Sequence, residues 1–129
     1  GMPLQVPGEI TTREQLITYL QRWKPEHVAP DTQTPYRSYA NPSIGMLGVI
    51  TASALGGDFA TLLTEHVLKP LGLNHTYVTV PASAQMHYAQ GYAAEDRPIR
   101  VAPGMLDAEA YGIKTTVPDL LRLLSAHMD

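Results

Sequence analysis

Tyr39-Ala40-Asn41-Pro42-Ser43-Ile44-Gly45 puts a polar pair, Tyr39 and Asn41, immediately before the most apolar run in the chain. Pro42 suits the first position of a helix, where the N–H it lacks would have had no intrahelical partner, and Asn41 suits the cap before it. The pattern predicts a helix entrance. The run from Ile44 to Leu55 has no charged residue and carries Gly45 and Gly48 three apart, so one face is bare enough for another backbone to approach closely. Such a helix is expected to be buried, with Ile44 and Leu47 in the core and the Tyr39 hydroxyl open to solvent. At about fourteen residues it would be roughly 21 Å long, too short to span a bilayer. It would hold a phenol and an amide rigidly at the mouth of a cleft.

The rest of the chain reads outward from that helix. Upstream, Pro3, Pro7 and Gly8 keep the first ten residues extended, which lets Gln5 project from a loop. Either Thr12 with Gln15 or Thr11 with Glu14 makes a capping box for a first helix over about 12–24, with Leu16, Ile17, Leu20 and Trp23 on one face and Pro25 as its stop. Prolines 25, 30 and 35 then mark an irregular surface loop that delivers the chain to Tyr39. Downstream, Gly56-Gly57 ends the apolar helix and Asp58 caps a third, with Phe59, Leu62, Leu63 and Val67 on one face and an end near Pro70 to Gly72. Thr76 to Val80, β-branched and aromatic and closed by Pro81, predicts a short strand. Tyr88–Tyr92 and Pro98–Val101 predict a small hairpin around 93–97, with Pro98 at an edge. A loop with one helical turn at Asp107–Ala110 follows. Thr116 then caps a last helix bearing Asp119 and Leu120, Leu121, Leu123 and Leu124.

Composition removes several functions. With 129 residues the chain is one domain that can bury roughly two-thirds of its unfolded surface. A net charge of −3, with 9 Lys and Arg scattered singly, offers no basic stripe for a phosphate backbone, so no nucleic-acid partner is expected. There is no cysteine, hence no disulfide framework and no thiol chemistry. The five histidines show no ligand spacing, so neither metal nor cofactor is expected. No signal peptide opens the chain, and Gly1 before Met2 looks like a residue left by tag cleavage. Charged residues are only 16%, drier than usual, so some apolar surface is expected to want a partner.

Taken one at a time, the candidate residues read blandly. Tyr39 alone would be a packing residue, and Asn41 a cap. Lys114-Thr115-Thr116 superficially matches a catalytic Lys-Thr-Gly, but it runs straight into a helix cap and reads as structural. Asp107 and Glu109 could suggest a carboxylate pair, although a solvated loop accounts for them more simply. No serine is followed by lysine three residues on, and there is no Gly-x-Ser-x-Gly, so the chain has no serine nucleophile of its own.

Read as a series, the blocks say more. Pro3-Leu4-Gln5-Val6-Pro7, Trp23-Lys24-Pro25, Tyr39 to Gly45, Leu71-Gly72-Leu73-Asn74-His75-Thr76, Tyr88-Ala89-Gln90-Gly91-Tyr92 and Leu106 to Gly112 together closely resemble the class C serine β-lactamases. The resemblance runs the length of the chain but covers only the middle of such an enzyme: the family's Ser-x-x-Lys lies upstream and its Lys-Thr-Gly strand downstream. It implies a mainly α architecture with short β pieces, residues 1–129 forming the single helical subdomain of the α/β serine β-lactamase/penicillin-binding-protein fold. It also implies a periplasmic parent that hydrolyses β-lactam antibiotics through a serine acyl-enzyme, the chain alone being inactive.

By the same resemblance Tyr39 is the catalytic tyrosine, as base or as relay partner of the lysine. A phenol titrates near pH ~10, so neighbouring cations must lower that value or pass the proton on. Asn41 and Gln5 match the residues that bind the substrate's side-chain amide, and Tyr111 matches an aromatic wall of the side-chain pocket. Two departures stand out: Asp31 replaces a family glycine, and Thr34-Pro-Tyr-Arg-Ser38 is longer than usual, which makes Tyr36 a rival. Tyr39 is preferred because only it precedes Ala-Asn-Pro-Ser. The competing readings are a serine esterase or D-Ala-D-Ala peptidase using the same Tyr-x-Asn, and a non-enzymatic module that keeps the helical fold as a binding surface. Apolar residues facing the absent parts, among them Leu4, Val6 and Ile44, are expected to make the chain self-associate.

Overall fold

The structure is a computed structural model, and it describes residues 2–25 and 38–128. Five helical segments dominate: α1 (Arg13–Arg22), α2 (Asn41–Ala54), α3 (Phe59–Leu63), α4 (Asp107–Ala110) and α5 (Val117–Ser125). Among the described residues the paired strands are one two-stranded antiparallel ribbon, β1 (Gly91–Tyr92) with β2 (Pro98–Ile99), so the mainly α expectation holds. Most of the proline loop, with Asp31 and Tyr36, lies outside the described residues.

Helix α1 resolves its two possible caps in favour of Thr12. The Thr12 hydroxyl accepts from the Gln15 N–H at 3.2 Å while the Gln15 side-chain oxygen accepts from the N–H groups of Thr12 and Thr11 at 3.1 and 2.8 Å. The reciprocal pair satisfies donors that the first turn would otherwise leave orphaned. The helix ends at Arg22, just short of the expected 24. Leu16 is its buried anchor, and Ile17, expected on the same face, is exposed.

Helix α2 forms over the expected length, but two details differ from the sequence reading. Its cap is Ala40, with no side-chain hydrogen bond, so Asn41 is the first helical residue rather than the cap. Nor is the helix buried all round: Ile44 is 50% and Leu47 61% exposed, as are Ile50 and Leu55 at similar levels. The reason is geometric. Asn41, Gly45, Gly48 and Ala52 recur at helical spacing and form the covered face, which packs on α3 and α4, while the Ile44–Leu47 side has no opposing element among the described residues.

The Gly45/Gly48 face does what bare faces permit. A Cβ added at Gly45 would stand 2.6 Å from the Leu106 Cβ, and one at Gly48 would stand 2.6 Å from the Glu109 Cβ. Carbon atoms in good contact sit about 3.5–4.0 Å apart, so any side chain at either position would push α4 away. Leu106 enters this seam with φ at +67°, a left-handed conformation that leucine adopts only under constraint, and it is buried.

Gly56, at φ +70°, turns the chain out of α2, and the Gly57 N–H returns to the Ala52 carbonyl at 3.1 Å. Asp58 then caps α3 as expected, accepting from the N–H groups of Ala60 and Thr61 at 3.1 Å each. Hydrogen bonds from the Thr61 hydroxyl, the Thr61 N–H and the Ala60 N–H, in that order of weight, hold its carboxyl below the ordinary value. From Thr64 to Leu68 the helix widens into a π turn, with the Lys69 N–H reaching the Thr64 carbonyl five residues back at 3.0 Å. No sequence signal foretold it.

The strand expected over Thr76–Val80 is not one. It reduces to a single bridge in which Tyr77 and Lys114 exchange both backbone hydrogen bonds at 2.8 Å. The fixing interactions nearby are side-chain ones centred on Asp119, which is only 2% exposed. Its Oδ2 accepts from the His75 N–H at 2.7 Å and from the Thr76 hydroxyl at 2.8 Å, and Thr76 also shares a 2.8 Å hydrogen bond with Thr115. Lys114 donates to the Val78 carbonyl, and Arg122 donates to that of Gly72 at 2.7 Å, so the structural reading of Lys114-Thr115-Thr116 stands. Burial pushes the Asp119 pKa up, but the His75 N–H, the Thr76 hydroxyl and the positive charges of His75 and Arg122 outweigh it, and the net displacement is downward.

Asp119→Ala should therefore destabilise the fold by about 1–3 kcal/mol, because it strands two donors. Since the folded carboxyl titrates below the unfolded one, the Asp119 contribution is present above the unfolded value near pH ~3.9 and fades as acid carries the medium through the lower folded value. Denaturant unfolding of both proteins from pH 7 downward should show the gap closing only at the acid end.

Candidate functional site

The entrance of α2 gathers three of the four predicted residues or their immediate neighbours. Tyr39 stands just ahead of the helix with 65% of its surface exposed, so it is open to solvent as a residue. Asn41 is the converse, 8% exposed. Its backbone N–H, one of the four that a helix start leaves free, donates to the Leu4 carbonyl at 3.0 Å. That bond lays the N-terminal segment across the entrance and sets the exposed Gln5 one residue from the tether. Met2 adds to the seam: its carbonyl accepts from the Ser38 hydroxyl at 3.4 Å, and its sulfur lies 3.9 Å from the Ser43 hydroxyl.

Asn41 is placed by its backbone, and its side chain is not spent on the cap. No hydrogen bond joins its amide to another described residue. The first turn of α2 also carries no acidic residue, so the partial positive charge of the helix start is not neutralised from within. A solvent-facing phenol, an amide not bonded to any described residue and a glutamine are thus held together at a mildly electropositive point. Such a set can exchange a proton and grip an amide group, whereas nothing in it can attack a carbonyl.

Tyr111 reaches the site by a different route. It follows α4 directly and is 40% exposed, with its N–H on the Asp107 carbonyl at 2.9 Å and its hydroxyl against Gly104. The link is the glycine seam that binds α4 to α2. Leu106 and Met2 are the positioning residues that sequence reasoning missed: the spacing of Gly45 announced a close approach, but nothing named its partner.

Two open clefts lie elsewhere. A cleft of ≈ 610 Å³ lined by His75, Tyr77, His87, Tyr88, Lys114 and Arg122 among others, and another of ≈ 490 Å³ beside the π turn, include none of Gln5, Tyr39, Asn41 or Tyr111. Among the described residues there is no grouping of His, Asp or Glu able to hold a metal ion, and no single helix long and apolar enough to cross a membrane.

Comparison with known proteins bears on what this entrance is for. The β-lactamase family model matches residues 1–129. A β-lactamase of Pseudomonas fluorescens is 48% identical over 128 residues, covering 99% of this chain and 35% of that protein. Among solved structures, a β-lactamase/D-alanine carboxypeptidase from Pseudomonas syringae superposes with a TM-score of 0.87 at 46% identity, over 99% of this chain and 35% of that one. A class C β-lactamase from Rhodobacter sphaeroides gives 0.83 at 44% identity, over 97% and 34% respectively. The chain therefore spans about a third of the length of the curated relatives it matches.

The placement of these residues predicts small effects on stability. Tyr39→Phe removes an exposed hydroxyl and should leave the unfolding free energy within about 0.5 kcal/mol of the parent sequence. Asn41→Ala should fall below the roughly 1 kcal/mol typical of a lost cap, because Ala40 holds that position. Urea denaturation of the two variants checks both.

Proposed function

This chain belongs to the β-lactamase family, and on that footing we propose that it is the Tyr-x-Asn-bearing helical part of a class C serine β-lactamase. The observation that carries the reading is the entrance of α2, where Tyr39 faces solvent while Asn41 is locked in place beside the Gln5 segment. In the proposed reaction a serine from the remainder of the parent attacks the lactam carbonyl. Its proton leaves through Tyr39, as base or as partner of a lysine, and is delivered to the ring nitrogen as the C–N bond breaks. Water then hydrolyses the acyl-enzyme with the proton moving through the same groups.

Asn41 and Gln5 serve binding. Each presents a carbonyl and an NH2 group, which together pair with both faces of a side-chain amide, and burial of Asn41 makes its grip the more selective of the two. Tyr111 forms the aromatic wall of the side-chain pocket. Neither of the two clefts described above includes any of the four residues, which fits a substrate site completed by a second domain of the parent. We also propose a periplasmic parent, as the resemblance to the class C enzymes implies.

A related activity has one specific support. The Pseudomonas syringae relative is described as both a β-lactamase and a D-alanine carboxypeptidase, so a D-Ala-D-Ala peptide is the second substrate class to test.

Self-association follows from the exposed side of α2. Leu4, Ile44 and Leu47 are wet and Val6 is half-buried, close to the entrance that would face the rest of the parent. Each large aliphatic side chain left exposed forgoes about 1.5–3 kcal/mol, and association of two copies is the commonest relief.

Three outcomes test the proposal. The isolated chain should not hydrolyse a chromogenic cephalosporin above background, since residues 1–129 contain no Ser-x-x-Lys. In the full-length parent, Tyr39→Phe should lower kcat by about 10²–10⁴-fold, the usual worth of a positioned proton-transfer group, and a variant as active as the parent would remove Tyr39 from the mechanism. Light scattering of the isolated chain at roughly 100 μM should give a dimer mass, with a monomer counting against self-association.

A further inference from the structure

We propose that Gly48 is a positioning residue for substrate side-chain selectivity, because its missing Cβ fixes how far Tyr111 stands from Tyr39 and Asn41. The inference rests on the reading of Tyr111 as a wall of the side-chain pocket. Asn41 opens α2 and Tyr39 stands two residues ahead of it, so both follow the helix start. Tyr111 belongs to the turn over 104–112, and that turn meets α2 where two glycines allow it.

The contact at Gly48 is as close as that at Gly45 and meets two side chains at once. A Cβ there would lie 2.6 Å from the Glu109 Cβ, 2.8 Å from its Cγ and 3.3 Å from Cε2 of Phe59. The first carbon of a side chain cannot rotate away from its own backbone, and Phe59 crowds the same space. Relief therefore requires α4 itself to retreat, by about 1 Å if ordinary carbon contact is to be restored.

The retreat would carry Tyr111 with it. Both Tyr111 and Gly112 donate their N–H groups to the Asp107 carbonyl, at 2.9 and 2.5 Å, and a Cβ at Gly112 would meet that carbonyl oxygen at 2.7 Å. The Tyr111 hydroxyl rests against Gly104 at the other end of the turn. A turn closed this tightly shifts as a unit. The separation between Tyr111 and the α2 entrance grows, which on the reading of Tyr111 as a wall loosens the hold on small substrate side chains and makes room for bulky ones.

The test uses the full-length parent and two cephalosporins with the same ring and leaving group, one bearing an acetamido and the other a branched aryl side chain. Gly48→Ala should shift the ratio of their kcat/KM values about tenfold toward the bulky substrate, mainly through KM. The double variant Gly48→Ala/Glu109→Gly moves the empty space across the seam and should return the ratio to the parent value. Gly8→Ala, at a position with nothing within 4 Å, should leave it unchanged.

Equal losses on both substrates, or an unchanged ratio in an active parent, would overturn the proposal while leaving the site assignment intact. A parent that turns over neither substrate would overturn the site assignment and this inference with it. If Gly48→Ala alone does not fold, the double variant decides: recovery of fold and ratio together supports the seam as the selector, and a folded double variant with a displaced ratio rejects it.

Discussion

The structure depends on the close approach of two backbones along one face of α2. Gly45 and Gly48 give up side chains that would add apolar burial, and in exchange Leu106 and Glu109 seat directly on the helix. Dispersion falls off steeply with distance, so contact at this range is stiff: there is little to compress and no rotamer to swing. The left-handed Leu106 shows how strongly the seam dictates its partner, because an unfavourable backbone conformation persists only where its surroundings over-determine it. Through this face the helix that carries Tyr39 and the turn that carries Tyr111 become one body.

Local features were legible in the sequence and long-range ones were not. The Thr12/Gln15 box, the Asp58 cap, the single turn at Asp107–Ala110 and the Thr116 cap all depend on residues within four positions of one another, and all are present. The Gly-x-x-Gly spacing announced a close approach but could not name what approaches. Asn41 misled because its type suits a cap, whereas the tether to Leu4 pulls it one position into the helix and Ala40 takes the capping place. Ile44 and Leu47 misled for a different reason: an apolar residue is expected inside, and whether anything covers it is a property of the surroundings. At the site, Tyr39 and Asn41 stood out only beside the neighbouring blocks, since neither residue type is distinctive alone.

Asp119 illustrates the limit most clearly. The sequence marks it only as a residue of the helix that Thr116 caps. Its chief partners are instead 43 and 44 residues earlier, at Thr76 and His75. Thr76 to Val80 has strand-forming residues but no ladder partner among the described residues, so the segment is held by one backbone bridge and by side-chain hydrogen bonds of Asp119, Thr115, Lys114 and Gln85. Side-chain hydrogen bonds have here taken over a task that a sheet ladder would normally perform.

The π turn in the helix that follows α2 has a further consequence for how the chain tolerates change in length. Successive residues of an α-helix are rotated by about 100°, so a helix that accommodates one surplus residue re-aims everything after it by that angle. Leu68 is buried and the Gly72 carbonyl meets Arg122 in the phase that the π turn sets. Loss of a single residue between Thr64 and Leu68 would give a more regular helix and a worse protein, with Leu68 rotated off the core and the Gly72 carbonyl turned from the guanidinium. The irregularity works as a phase-setting insertion, and length variation among relatives should be sparse there and freer in exposed connections such as Ala94–Asp96.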